Sequence, residues 1–113
     1  MNTKSTNFIM SSELSWEDAG GGLSRQMMGY DGQLMLVKVK FEKGGIGVIH
    51  QHFHSQSSFV VSGVFEITIN CEKKILQAGD GFYLDPDVLH GAVCLEEGML
   101  IDTFSPVRLD FLK

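Results

Sequence analysis

From about residue 24 the apolar positions recur every second residue. Across 33–41, Met35, Val37, Val39 and Phe41 share one face and Lys38 and Lys40 the other, the alternation of a strand with one side buried. The same pattern predicts further short strands at 46–53, 57–62, 64–70, 73–77, 81–84, 89–95 and 99–104. Turn signals separate them: Gly44-Gly45, Ser62-Gly63, Asn70-Cys71-Glu72, Gly79-Asp80, Asp85-Pro86-Asp87 and Glu96-Glu97-Gly98. Many short, evenly spaced strands with almost no helical period predict an all-β domain, a small antiparallel barrel or sandwich.

Residues 1–22 break this pattern. They are polar and end in Gly20-Gly21-Gly22, so they read as an N-terminal arm attached to a domain over 23–113. One helical turn is predicted at 15–18, with Ser15 as its N-cap. Trp16 is expected to anchor the arm to the domain or to a neighbouring subunit.

A chain of 113 residues is sized for one core and one domain. Nine Lys and Arg against fourteen Asp and Glu leave a formal charge of −5, which argues against a nucleic-acid partner. No apolar run reaches the roughly 18 residues of a membrane helix, and the opening residues lack the apolar core of a secretory signal. The expected location is therefore cytoplasmic and away from membranes. Cys71 and Cys94 have no partner at C-x-x-C spacing and read as reduced packing residues.

The four histidines fall in two places, His50, His52 and His54 together and His90 far downstream. On a strand, His50 and His52 would point to one face about 6.6 Å apart along the chain. Gln56 could add an amide oxygen if the chain turns after His52, and a closed sheet could bring His90 opposite His50. Three neutral imidazoles and one oxygen suit a borderline divalent transition metal with open positions. A pair of half-exposed strand histidines, and a hydrogen-bonded structural His90, are the plainer alternatives. His54, two residues further on, reads as standing behind the ligands or exposed.

At this point the chain resembles the cupin superfamily. Gly44-x5-His50-x-His52-x3-Gln56-x6-Gly63 is similar to its first motif, with Gln in the usual place of Glu. The stretch from Gly79 through Pro86 to His90 is similar to the second, although the usual glycine after the proline is missing. The resemblance implies a jelly-roll barrel. Within cupins the chain resembles the small pectin-degradation proteins called KdgF. That likeness rests on HQHFHSQ (50–56), SGVFEITI (62–69), AGDGFYLDPDVLHGAV (78–93) and the tail DTFSPVRLDFL (102–112). It implies a metal-dependent enzyme that opens the ring of 4,5-unsaturated uronic acid monomers to a linear keto acid. His50, His52, Gln56 and His90 would be the metal ligands. Asp102, Phe104 and Arg108 would form the catalytic set. The metal could be nickel, zinc, manganese or iron.

The tail carries a signal of its own. Alternation in 99–104 puts Leu100, Asp102 and Phe104 on one face, and a carboxylate between apolar neighbours must be paired or functional. A salt bridge from Asp102 to Arg108 or Arg25 is the structural alternative. Other metal-dependent cupin activities, such as a dioxygenase or sugar isomerase, and a non-catalytic sugar- or metal-binding module are the competing functions. A homodimer is expected, because small cupins leave sheet edges and apolar faces to cover.

Overall fold

The alternation becomes one antiparallel sheet of eight strands in a computed structural model that describes residues 4–112. The strands are β1 (Glu17–Gly20), β2 (Leu23–Tyr30), β3 (Met35–Phe41), β4 (Ile46–His50), β5 (Ser55–Ile69), β6 (Glu72–Gln77), β7 (Gly81–Leu84) and β8 (His90–Ser105). Short 3-10 helices at Ser11–Glu13 and Leu109–Leu112 flank them. No helix among the described residues is long and apolar enough to cross a membrane.

Two long strands organise the sheet. β5 and β8 pair along nearly their whole lengths, from Ser55↔Ser105 to Ile69↔His90. The first half of β5 takes β7 as its other neighbour, and the second half takes β6. The second half of β8 takes β3, and its first half takes β4. Sequence signals at Ser62-Gly63 and Glu96-Glu97-Gly98 predicted chain breaks here, yet both strands continue through them. They act as bulges, with register shifts between Val60 and Phe65. Gly63 has φ +85°, and a Cβ there would lie 2.6 Å from the Glu96 carbonyl oxygen; a Cβ on Gly98 would collide with Ser62. Glycine lets the two bent strands touch at this corner.

The predicted faces are the observed ones. Met35, Val37, Val39 and Phe41 are buried on β3, against Val60, Phe65 and Ile67 of β5 and Cys94, Leu100 and Phe104 of β8. Phe41 meets Phe65 edge to face at 5.0 Å between ring centroids.

The N-terminal segment differs from expectation. The helical turn lies at Ser11–Glu13, not 15–18, and Glu17–Gly20 is an edge strand on β2. The glycine triplet supplies three successive positive φ angles and folds the chain back, so backbone pairing wins over a capped turn. The segment upstream of it is held by the buried Gln26 amide on β2, which donates to the Ser11 and Leu14 carbonyls at 3.1 Å each and accepts from Ser11 Oγ at 2.9 Å. Trp16 faces Lys40 of its own chain, with Nζ 4.1 Å from the ring centroid. Cys94 is buried as expected, but Cys71 is an exposed turn residue with φ 72° and packs nothing.

Candidate metal centre

β4 ends at His50, three residues earlier than the 46–53 pattern suggests, and His52 follows in the connection to β5. His50 is the direct partner of His90 where β4 meets the start of β8. Ring centroids lie 4.4 Å apart for His50 and His90, 4.9 Å for His52 and His90, and 5.7 Å for His50 and His52. One nitrogen from each falls within 4.8 Å of the other two.

Hydrogen bonding fixes which nitrogens face inward. Nδ1 of His50 sits 2.8 Å from the Val48 carbonyl, Nδ1 of His52 3.1 Å from the His54 carbonyl, and Nδ1 of His90 3.0 Å from the Val88 carbonyl. A carbonyl only accepts, so each Nδ1 carries the proton and each Nε2 is left with a lone pair. Burial lowers the pKa of His52 and drives that of His90 down to about 4, keeping both neutral at neutral pH.

The fourth group is the buried Gln56 at the start of β5. Its Nε2 donates to Ser58 Oγ at 3.0 Å, and Ser58 Oγ donates to Asp102 Oδ1 at 2.6 Å. This chain turns Gln56 Oε1 toward His52 Nε2, 3.0 Å away. With His52 protonated at Nδ1, two lone pairs face each other there. Such a contact is repulsive unless a cation lies between them, so the donor set fits a metal ion. His54 is buried rather than exposed, lies outside the three-histidine group and stacks on Phe53 at 4.0 Å.

Asp102 stands opposite Ser58 in the β5–β8 register, and burial raises its pKa to about 6 despite the Ser58 hydrogen bond and the positive charge of Arg108. Neither candidate salt bridge to Asp102 forms. Arg108 binds Asp110 through Nε (3.1 Å) and Nη2 (2.9 Å), while Arg25 comes only within 4.0 Å of Glu17. Short-range pairing along the tail brings Arg108 to a carboxylate two residues away, at no cost in chain reorganisation.

His50, Gln56, His90, Asp102, Phe104 and Arg108 line one pocket of about 220 Å³, with His52 beside it. Phe104 carries the Arg108 guanidinium 5.0 Å from its ring centroid and packs edge-on against Phe111 at 5.7 Å. Sequence reasoning did not single out Ser58 or Phe111, and it gave Arg25 only as a salt-bridge partner. Ser58 sits on the inward face of a strand whose alternation marks it as buried, and that was the available signal.

A cupin domain model matches residues 37–103, which span β3 to β8 and every histidine of the centre. The chain belongs to the cupin family. It is 45% identical over 107 residues to the pectin degradation protein KdgF of Dickeya dadantii (strain 3937), covering 93% of this chain and 97% of that protein. An RmlC-like cupin from Shewanella frigidimarina NCIMB 400 superposes with a TM-score of 0.94 at 50% identity, over 96% of this chain and 98% of that one. KdgF from Halomonas sp. superposes with a TM-score of 0.90 at 39% identity, over 95% and 99% of the two chains. At 96% and 95% of this chain, the two structural likenesses extend beyond the cupin segment of 37–103.

Proposed function

We propose that this cupin opens the ring of 4,5-unsaturated uronic acid monomers from pectin breakdown, yielding a linear keto acid. The observation that carries the reading is the buried Ser58–Asp102 pair. It sets a carboxyl group with a pKa near 6 in the same pocket as the imidazoles of His50 and His90 and a guanidinium, with His52 beside them. A general base held near the working pH is what a reaction made of proton transfers needs. Similarity to the two KdgF proteins supports the choice of substrate class.

His50, His52, Gln56 and His90 would hold one divalent transition metal, nickel, zinc, manganese or iron. Such an ion supplies Lewis-acid stabilisation of negative charge developing on a substrate oxygen. Asp102 removes the proton of the anomeric hydroxyl. The C1–O bond of the ring then breaks, C1 becomes an aldehyde, and the ring oxygen remains on C5 as an enolate. Asp102 returns the proton to C4, leaving a C5 ketone; atoms balance and no oxidant is required. Phe104 shapes one wall against the sugar, and Arg108 places positive charge on the side that receives the carboxylate. Ser58 keeps Asp102 turned into the pocket.

An N-terminal segment 1–22 that adds its edge strand to the domain over 23–113, a cytoplasmic location and a homodimer complete the proposal. The dimer is supported by the exposed Ile46, Val48 and Ile49 on β4, whose described pairing is to β8 alone. The decisive experiment follows the conjugated-alkene absorbance of a lyase-generated unsaturated monomer with metal-loaded protein. Its enzyme-dependent loss is expected, and binding without loss would leave a non-catalytic module instead.

A further inference from the structure

Arg25 lies on β2 in register with Val39 of β3, on the strand face that looks into the pocket. Its guanidinium carbon is 3.9 Å from the centroid of Phe111, and that of Arg108 is 4.2 Å from the same centroid. The two guanidiniums are therefore at most about 8 Å apart, held over one ring. Their donors are used very differently. Arg108 spends Nε and one Nη2 proton on Asp110, so one bidentate edge of its guanidinium is already taken and only the Nη1–Nη2 end is left for a ligand. Arg25 Nε is buried and has no hydrogen-bond partner, and its nearest carboxylate, the half-exposed Glu17, stops at 4.0 Å. A charged donor buried without an acceptor is destabilising, and such groups in a cleft are places where a ligand completes the set.

We propose that Arg25 is the principal carboxylate-binding residue of the pocket, with Arg108, fixed by Asp110, as its weaker companion. The inference rests on the uronate reading and deepens it. A planar fork anchored on a strand and stacked on Phe111 is preorganised for two parallel N–H···O bonds to a planar carboxylate. A strand position also holds that fork more rigidly than the C-terminal tail holds Arg108. The carboxylate would then approach from the β2 side, and the reacting end of the sugar would extend toward Asp102 and the histidines. Among the carboxylates of this region, Glu17 from β1 stops 4.0 Å from Arg25, Asp102 from β8 lines the same pocket, and Asp110 lies on the tail. Asp110 is occupied by Arg108, and Asp102 by its hydrogen bond from Ser58.

The test compares binding of galacturonate, a saturated uronate that cannot be turned over, with binding of its methyl ester, by calorimetry on metal-loaded protein. Wild type should prefer the carboxylate by about ten- to a hundredfold. Arg25→Gln should reduce that preference to less than about threefold, and Arg25→Lys, which keeps charge without the fork, should fall between. Arg108→Gln should lose less of it than Arg25→Gln. Metal content and melting temperature establish that the variants are folded, and Arg25→Lys preserves the cation over Phe111 if Arg25→Gln does not fold. With the unsaturated monomer, Arg25→Lys should raise KM more than it lowers kcat. An absent preference in wild type, a retained one in the Arg25 variants, or a larger loss in Arg108→Gln would overturn the assignment. Failure of the functional reading has a different signature: the carboxylate preference persists in wild type while unsaturated monomer is not consumed.

Discussion

The strand pair β5–β8 builds two interiors of opposite chemistry. Around Phe65, Ile67 and Cys94 its inward positions meet Phe41, and the packing is entirely apolar. Around Gln56, Ser58 and Asp102, on the same two strands, the inward positions are polar and every one is tied to the next. Both regions obey the same alternation and the same backbone pairing. What differs is where the free energy resides. The apolar region stabilises the fold through burial and dense packing. The polar region surrenders some of that stability, since a desolvated carboxylate is held near neutral pH, and gains chemistry in exchange. Substitutions in the apolar region should therefore lower stability and leave turnover, and those in the polar region should lower turnover while leaving stability unchanged or raising it.

The largest expected effect comes from removing ligands. A His50→Ala/His90→Ala double variant should fall from one metal ion per chain to nearly none by elemental analysis, and turnover should drop to background. Full metal content in that variant would remove the assigned centre.

Asp102→Asn comes next. It keeps shape, Ser58 contact and metal but removes the base, so kcat should fall about 10²–10⁴-fold. Stability should move the other way. Because folding raises the Asp102 pKa to about 6 from the ordinary carboxylate value of 3.8, its charged form opposes folding. The contribution to stability is fully present below pH 3.8 and is lost as pH rises through about 6. Metal-free Asp102→Asn should thus melt several degrees higher than wild type at pH 7.5, by about 1–3 kcal/mol, with the gap closing near pH 4. His90 acts in the opposite sense in both proteins. Its pKa is lowered to about 4, so the stability it contributes is present above pH 6.5 and lost on acidification toward pH 4. Thermal scans of chelated protein across that range read both limbs.

In the apolar region, Phe65→Ala should cost about 3–5 kcal/mol in urea unfolding through the cavity it leaves. The kcat of the protein that remains folded should stay within about threefold of wild type, and a hundredfold loss would erase the distinction between the two interiors.

Ser58→Ala is a smaller intervention on the polar side. Without the hydroxyl that lowers the Asp102 pKa, the acid limb of the rate should shift to higher pH. Turnover at pH 7.5 should fall about tenfold, roughly what one lost hydrogen bond to a charged group delivers. The mildest expectation concerns assembly: light scattering at micromolar protein should give the mass of a dimer, and a monomer mass would refute the covered β4 edge.

Much of this molecule can be read without coordinates. Period-two alternation in residues 33–41 marks the buried side of β3, because a strand has only two faces and one must be dry. The gathering of all four histidines at two places, and a carboxylate between Leu100 and Phe104, mark the pocket for similar reasons: such groups are rarely buried without a use. The continuity of β5 and β8 through Gly63 and Gly98 is not legible. Local glycine reads as a turn, and the bend instead reflects two strands in contact across 35 residues of sequence.

The same boundary separates the parts of the site. Residue types and their spacing nominated side chains that could ligate a metal or move a proton. Only the register of β5 on β8 decided that Ser58 would meet Asp102, forty-four positions away, and so turn the amide of Gln56 toward His52. Only the docking of the tail decided that Phe111 would lie against two guanidiniums, and that Arg108 would find Asp110 while Arg25 Nε found no hydrogen-bond partner. Alternation is a property of the local backbone, written into every pair of neighbouring residues. Partnership across strands depends on chain closure over long separations, where many registers share the same pattern and packing of the whole core selects one.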